Sequence, residues 1–437
     1  MKNMSKIKDN LVTIAILIIP FDSFPIYFGS SIYRPVSIFP LFLCFILLVL
    51  ENSLRLKVKR RIVTLFSIFF LLTYISFSKS INYNDFSGVV DFFITGFLGI
   101  SSLTVFEDFF CRLKNKIGRE AAFNYIGELF SKAMVLPLIF GGFQIVYILS
   151  HKLLPGVAVA FSLVTYRWQL GRVFLTCGEP SWAVIYLILL FYFLVFCENC
   201  RHRNTKLLII ALYILFTLSM YGYLSVIFAV IFYVIFRALK DIAFLKNIFL
   251  IFLLLFLGVI IFDNIMQGIG NTSYFGARYF QLRELVTYII SPEEFIDVIQ
   301  ILSGTVFVRL MNPMIALMIA FEFPFFGCGG GYYYKLYPRY IKQYFPKAIK
   351  WYEVEAAVSG EYKITSRNLF MRLFGECGLF IGFLFLGYCL SLLKNIDKND
   401  RRTLWNIALL FMVVLNKDSL CYLPFIFILA LFTLVKD

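Results

Sequence analysis

Ile62-Val-Thr-Leu-Phe-Ser-Ile-Phe-Phe-Leu-Leu-Thr-Tyr-Ile-Ser-Phe77 contains no charged residue. Runs of the same kind recur at Ala133 to Ser150, Ile248 to Ile261 and Leu420 to Val435. A hydrocarbon layer of roughly 30 Å takes about 20 such residues per helix, and fewer where partner helices shield the ends. The chain has 437 residues, 60% of them hydrophobic and 15% charged, with the charges clustered between the apolar runs. No soluble core could absorb that pattern, so the runs read as membrane-spanning helices. The first apolar stretch contains Pro20, Asp22 and Pro25 without a small-residue cleavage site, and reads as a retained helix.

A net charge of +15 could point to nucleic acid, but the positive residues are spread over loops and form no basic domain. Orientation accounts for them better. Alternate loops (Lys2 to Lys8, Arg55 to Arg61, Arg112 to Lys132, Arg201 to Lys206, Arg237 to Lys246, Lys394 to Arg402) and Lys436 together hold 24 Lys and Arg. The opposite short loops hold only Arg34, Lys79, Lys152, Arg167, Arg172 and Lys417. The positive-inside rule makes the first set, with both termini, cytoplasmic. The fold class expected is an all-α polytopic membrane protein of about 12 transmembrane helices with one large periplasmic loop. Spans fall near 11–28, 36–50, 62–78, 88–106, 133–150, 181–198, 207–219, 221–236, 248–264, 374–393, 403–416 and 419–435. The organisation is then 1–264 for nine helices, 265–372 for the loop and 373–437 for three more. A single helix over 207–236 would invert every later loop and turn the basic 237–246 and 394–402 segments outward, so a break is expected there.

Metal chemistry has little support, because Cys197, Cys200 and His202 form half of a zinc site with no second pair. Chemistry concentrates on the outer side. In Arg167-Trp-Gln-Leu-Gly-Arg172-Val-Phe-Leu-Thr-Cys-Gly-Glu179-Pro180-Ser181, Pro180 suits the first position of a helix. Glu179 then lies at the boundary, and can either face the helix's positive end or serve the chemistry. The long loop adds Arg278, Arg283 and Arg309, whose forked guanidinium groups suit phosphate oxygens or, equally, lipid head-groups. Gly327-Cys-Gly-Gly-Gly331 has no Gly-Lys-Ser/Thr after it and is not a P-loop; its glycines suit a tight turn and close backbone approach. Tyr332 to Tyr344, interleaved with Lys335, Arg339 and Lys342, could offer rings to sugars or form an interfacial belt. Glu376, near the lipid boundary, needs a partner and is expected to tie the loop to a neighbouring helix.

These residues resemble the O-antigen polymerase (Wzy-type) family, which shares a GT-C-type glycosyltransferase and ligase architecture. The likeness rests on Glu179-Pro180-Ser181 with an upstream arginine, Leu218-Ser219 with Tyr223-Leu224, and Arg309 before Pro324-Phe-Phe-Gly327-Cys-Gly329. Asn368 before Gly375-Glu376-Cys-Gly378 completes it, in order over about 160–390. Arg167 followed by Gly178 fits an Arg-x10-Gly spacing, whereas no Arg-x15-Gly starts at Arg309. The resemblance implies a metal-independent and cofactor-free glycosyltransferase of the bacterial inner membrane, with undecaprenyl-pyrophosphate-linked oligosaccharide as substrate. A chain-length regulator and a flippase would be its partners. By position, Arg172, Arg278 and Arg309 would hold the departing pyrophosphate and Glu179 would orient or deprotonate the acceptor hydroxyl. Arg167, Arg283, Tyr332, Arg339, Arg367 and Asn368 would bind substrate. An O-antigen ligase is the near rival, but its pattern places histidine where this chain has Arg367. A transporter and a purely structural subunit are the rivals from other classes.

Overall fold

The computed structural model describes residues 2–23, 33, 35–55, 60–150, 172–197, 202–240, 299–300, 304–394 and 400–435. Among these residues the secondary structure is helical and contains no strand. Among the described residues four helical stretches are long and apolar enough to cross a membrane: Val63–Tyr83, Ser87–Ile117, Arg119–Leu149, which runs through two helices meeting at Met134, and Tyr221–Lys240. Their outward faces stay apolar. On Val63–Tyr83, for instance, Leu71 is 60% and Tyr74 71% exposed, a surface suited to lipid and too apolar for water.

The first helices are α1 (Lys2–Leu17), α2 (Ile38–Arg55), α3 (Arg60–Tyr83), α4 (Ser87–Ile117), α5 (Arg119–Ala133) and α6 (Val135–Leu149). The expected first span at 11–28 is displaced, since α1 starts at Lys2 and ends at Leu17. Pro20 gives the reason: it has no N–H for the Ile16 carbonyl and disfavours helical geometry at Ile19. Further on come α7 (Pro180–Phe196), α8 (Arg203–Phe216) and α9 (Met220–Lys240). The expected break between the last two is present. Leu218 takes a positive φ of 44°, and the Ser219 hydroxyl accepts from the Gly222 N–H at 3.0 Å.

The segment expected as a loop is folded where it is described. It contains α10 (Gly304–Glu322), α11 (Tyr333–Tyr344), a 3-10 turn (Pro346–Lys350) and α12 (Tyr352–Ser359). Phe307, Ile315, Tyr333, Tyr337, Ile341, Val354 and Ile364 bury together in a separate core that Val89 of α4 joins. Then follow α13 (Leu369–Cys377), α14 (Leu379–Ser391), α15 (Arg401–Asn416) and α16 (Leu423–Val435). Helix α7 is buried at every residue from Pro180 to Leu190, and α16 at nearly every residue, so these two are the inner elements of the main core.

Polar contacts gather at two opposite ends of this bundle. At one, Lys8 pairs with Glu51, Arg112 with Asp9 and Asp108, and Arg402 with Glu120, while Arg119 donates to the carbonyls of Leu434 and Val435. At the other, the Gly178 N–H reaches Asp22, the Leu423 N–H reaches the Tyr33 hydroxyl and the Tyr221 hydroxyl reaches the Leu415 carbonyl. The candidate site is at this second end.

Candidate active site

The loop before α7 is held from three sides. Buried Gln144 of α6 accepts the N–H groups of Phe174 and Leu175 at 3.0 Å and returns its amide to the Leu175 carbonyl at 2.8 Å. This fixes Leu175 at a φ of +55°, a conformation that a non-glycine side chain adopts at a cost. The Thr176 hydroxyl donates to the Pro20 carbonyl at 2.8 Å, and the Gly178 N–H to Asp22 Oδ1 at 3.1 Å. Gly178 is required by space: a Cβ there would meet the Trp182 ring at 2.8 Å and Ser23 Oγ at 2.9 Å. Glu179 is therefore delivered at a defined point, in extended geometry, immediately before Pro180 at the first helical position.

Glu179 does not cap its own helix. Its Oε2 instead meets Arg309 Nη2 of α10 at 3.2 Å and accepts from the Ser181 hydroxyl at 3.4 Å. The Arg309 guanidinium lies 4.2 Å above the Tyr221 ring at the start of α9, and Tyr221 is anchored through its hydroxyl to the Leu415 carbonyl at 3.0 Å. Both charges are mostly shielded, with side-chain exposures of 21% for Arg309 and 14% for Glu179, so water and salt screen the pair less than a surface pair.

Arg367 joins the group from the turn before α13. Its backbone is left-handed at φ +61°, its N–H donates to Asp418 Oδ2 at 3.0 Å, and its guanidinium pairs with Glu353 of α12. Burial works against the charged form, yet Glu353, Tyr362, Glu179 and Asp418 more than offset it and hold Arg367 firmly protonated. Among the described residues its Nε has no hydrogen-bond partner, and it is shut off from solvent. Asn368 is the N-cap of α13, accepting from the Met371 N–H at 3.1 Å. Behind it Arg372 donates to the Asp418 carbonyl at 3.0 Å and pairs with Glu376 at 2.9 Å. Glu376 also takes the Gly331 N–H at 2.9 Å, which ties the glycine run to α13.

Of the residues singled out in the sequence, the structure thus brings Glu179 and Arg309 into contact and sets Arg367 within electrostatic reach of Glu179, with Asn368 next to it. Arg172 begins the same loop and is partly buried. Arg167, Arg278 and Arg283 lie outside the described residues. Tyr332 and Arg339 belong elsewhere. The Tyr332 hydroxyl serves the Asp85 carbonyl and the Val89 N–H, and its ring packs on Tyr83; Arg339 pairs with Glu322 at 2.8 Å on the surface. The glycine run gives its N–H groups to the protein: Cys328 to the Gly375 carbonyl, Gly329 to that of Glu376 and Gly330 to Ser76. It is therefore a packing turn, and Gly331, at φ +80°, has no room for a Cβ, which would meet the Gly88 carbonyl at 2.1 Å.

Lys417, Asp418 and Asp22 were not singled out as site residues by sequence. Lys417 and Asp418 sit between two apolar runs and Asp22 inside one, which is the available signal: a charge placed there needs partners. Asp22 is fully buried beside the Glu179 loop. Cations from three separate chain segments, Arg309, Arg367 and Lys417, thus gather around the mostly buried Glu179 carboxylate. Such an arrangement can bind an anion and can take a proton from a hydroxyl within hydrogen-bond reach. The comparisons add no relative, since no family model, no curated protein and no solved structure matches this chain.

Proposed function

We propose that the chain is a polymerase of surface polysaccharide, joining oligosaccharide repeat units carried on undecaprenyl pyrophosphate at the outer face of the bacterial inner membrane. In this reading about twelve spans place both termini in the cytoplasm, and the basic residues around Lys8, Arg112, Arg119 and Arg402 mark the cytoplasmic end. The Glu179 end is then periplasmic. The observation that carries the proposal is the contact of Glu179 with Arg309, with Arg367 within electrostatic reach.

In the transfer, a hydroxyl of the acceptor repeat unit attacks the anomeric carbon of the donor glycan. A new C–O bond forms as the bond from that carbon to the pyrophosphate oxygen breaks, and the electron pair leaves with the lipid pyrophosphate. Glu179 takes the hydroxyl proton. Arg309 and Arg367 neutralise the charge growing on the leaving oxygen, with paired donors that keep their charge at every physiological pH. A pyrophosphate ester is a good leaving group, so the protein's part is positioning and electrostatic stabilisation.

The test is the purified full chain in liposomes, given lipid-linked repeat units and a lipid A core acceptor, with and without an ion gradient. A ladder of lengthening glycans supports the polymerase. Transfer of glycan to a lipid A core without lengthening would make the chain a ligase, and gradient-driven flux without chain growth would make it a transporter.

A further inference from the structure

The link between α15 and α16, residues 417–422, carries a lysine that the mechanism above does not use. Lys417 follows the last turn of α15 in extended geometry, with its N–H on the Val413 carbonyl at 3.2 Å. The next residue is fastened twice, since the Asp418 carboxylate accepts from the Arg367 N–H and its carbonyl from Arg372, each at 3.0 Å. The backbone at Lys417 is thus fixed on both sides.

Its Nζ lies 3.6 Å over the ring of Trp182 and 5.7 Å from that of Tyr33. An aromatic seat of this kind holds an ammonium while leaving donors for another ligand. The charged groups facing it are Glu179 at the start of α7, Asp418 in its own link, Arg367 before α13 and Asp22 after α1. Among the described residues none of the three carboxylates forms an ion pair with Nζ, and each has another partner: Glu179 has Arg309, Asp418 the Arg367 N–H and Asp22 the Gly178 N–H.

We propose that Lys417, seated on Trp182, is a further cationic contact for the phosphate-bearing end of the substrate, alongside Arg309 and Arg367. The assignment rests on the reading of the site as one for a pyrophosphate ester. The chemistry differs from that of the arginines. A lysine is a compact point charge that can lose its proton. Burial pushes Lys417 down to about 8, against the pull of Glu179 and Asp418, so this contact fades above neutral pH while the guanidinium contacts persist.

The experiment titrates the purified full chain with inorganic pyrophosphate at pH 7 and pH 9.5, comparing wild type, Lys417→Met and Lys417→Arg, with folding of each checked by thermal unfolding. At pH 7 Lys417→Met should bind about tenfold more weakly, the size of one charge-assisted hydrogen bond. At pH 9.5 it should match the wild type, whereas Lys417→Arg, still charged, should match the wild type at pH 7 and bind more tightly than it at pH 9.5. A merely structural lysine would not produce this pH split, so equal affinity of Lys417→Met and wild type at pH 7 overturns the proposal. The same titration in nanodiscs of phosphatidylcholine and of phosphatidylglycerol separates substrate diphosphate from lipid head-group. If only the response to phosphatidylglycerol depends on Lys417, the assignment to substrate is overturned. The two readings fail separately: pyrophosphate binding through Lys417 without glycan growth sinks the polymerase, and unchanged polymerisation and binding in Lys417→Met sinks the lysine contact.

Discussion

Arg309 Nη2 stands 3.2 Å from Glu179 Oε2, joining residues 130 positions apart in the chain. Each partner is fixed by something other than the pair. Glu179 is set by the Gln144-pinned loop and Pro180, and Arg309 by its stack on Tyr221 at 4.2 Å. A contact between two independently positioned groups loses little entropy when a ligand replaces it, which is what a preorganised site requires.

Arg309→Ala should reduce glycan transfer by about 100-fold or more, the usual consequence of removing one donor aimed at developing charge. Arg309→Lys should recover little, because an ammonium supplies neither the fork nor the planar stack on Tyr221. Glu179→Gln keeps the shape but cannot take a proton, and should be comparably impaired. Rates in liposomes, normalised to protein inserted, decide this; near-wild-type rates in all three variants would remove these residues from the chemistry.

Gly178→Ala tests the loop without touching a charged group. The added methyl would meet the Trp182 ring at 2.8 Å and Ser23 Cβ at 3.0 Å. The methyl has to displace a buried ring, which costs roughly 1–3 kcal/mol. A lowered midpoint of thermal unfolding in detergent is expected, together with slower transfer as Glu179 shifts. An unchanged midpoint would mean that Trp182 moves aside freely.

Much of this arrangement is legible in the sequence, and its failures have physical causes. Pro180 after Glu179 marks the start of α7, and the break at Leu218 follows from the charge of the flanking loops. The helix over Gly304–Glu322 is hard to see in the sequence because Arg309, Asn312 and Pro313 interrupt its apolar run. Asn312 finds the Thr365 carbonyl at 2.9 Å and accepts Tyr333 on its own carbonyl, partners that no local pattern reveals. Lys417 in a short link looks like a surface charge. Only the convergence of Trp182, Tyr33 and Glu179 from other segments encloses it.

Arg372 and Glu376 form a buried i,i+4 pair, with side-chain exposures of 8% and 6%. Arg372→Met leaves the Glu376 charge without its guanidinium and also frees the Asp418 carbonyl, so a loss of about 3–5 kcal/mol is expected. Adding Glu376→Gln should restore a good part of it, since an amide can still accept the Gly331 N–H. Thermal unfolding of the single and double variants forms a cycle. Additive losses would show that the pair does not act as a unit.

Lys417 should make stability depend on pH in a direction opposite to that of an ordinary ion-paired lysine. Burial lowers its pKa to about 8 in the folded chain, against roughly 10.4 for an unfolded lysine. Between those values the unfolded chain holds the extra proton, so stability rises with pH across that window. Below about 8 both states are protonated, and the folded state carries the full penalty of a buried ammonium. Lys417→Met removes that penalty. Without anion, the variant should exceed the wild type in stability most clearly at pH 7, and the difference should shrink towards zero as pH approaches 10.4. Pyrophosphate at pH 7 should narrow the same gap by binding the folded wild type. Thermal unfolding of both proteins over this range measures the difference curve, from which titrating groups that do not sense Lys417 cancel. Parallel curves from pH 7 to pH 10.5 would show that the ammonium is as well solvated in the folded chain as in the unfolded one.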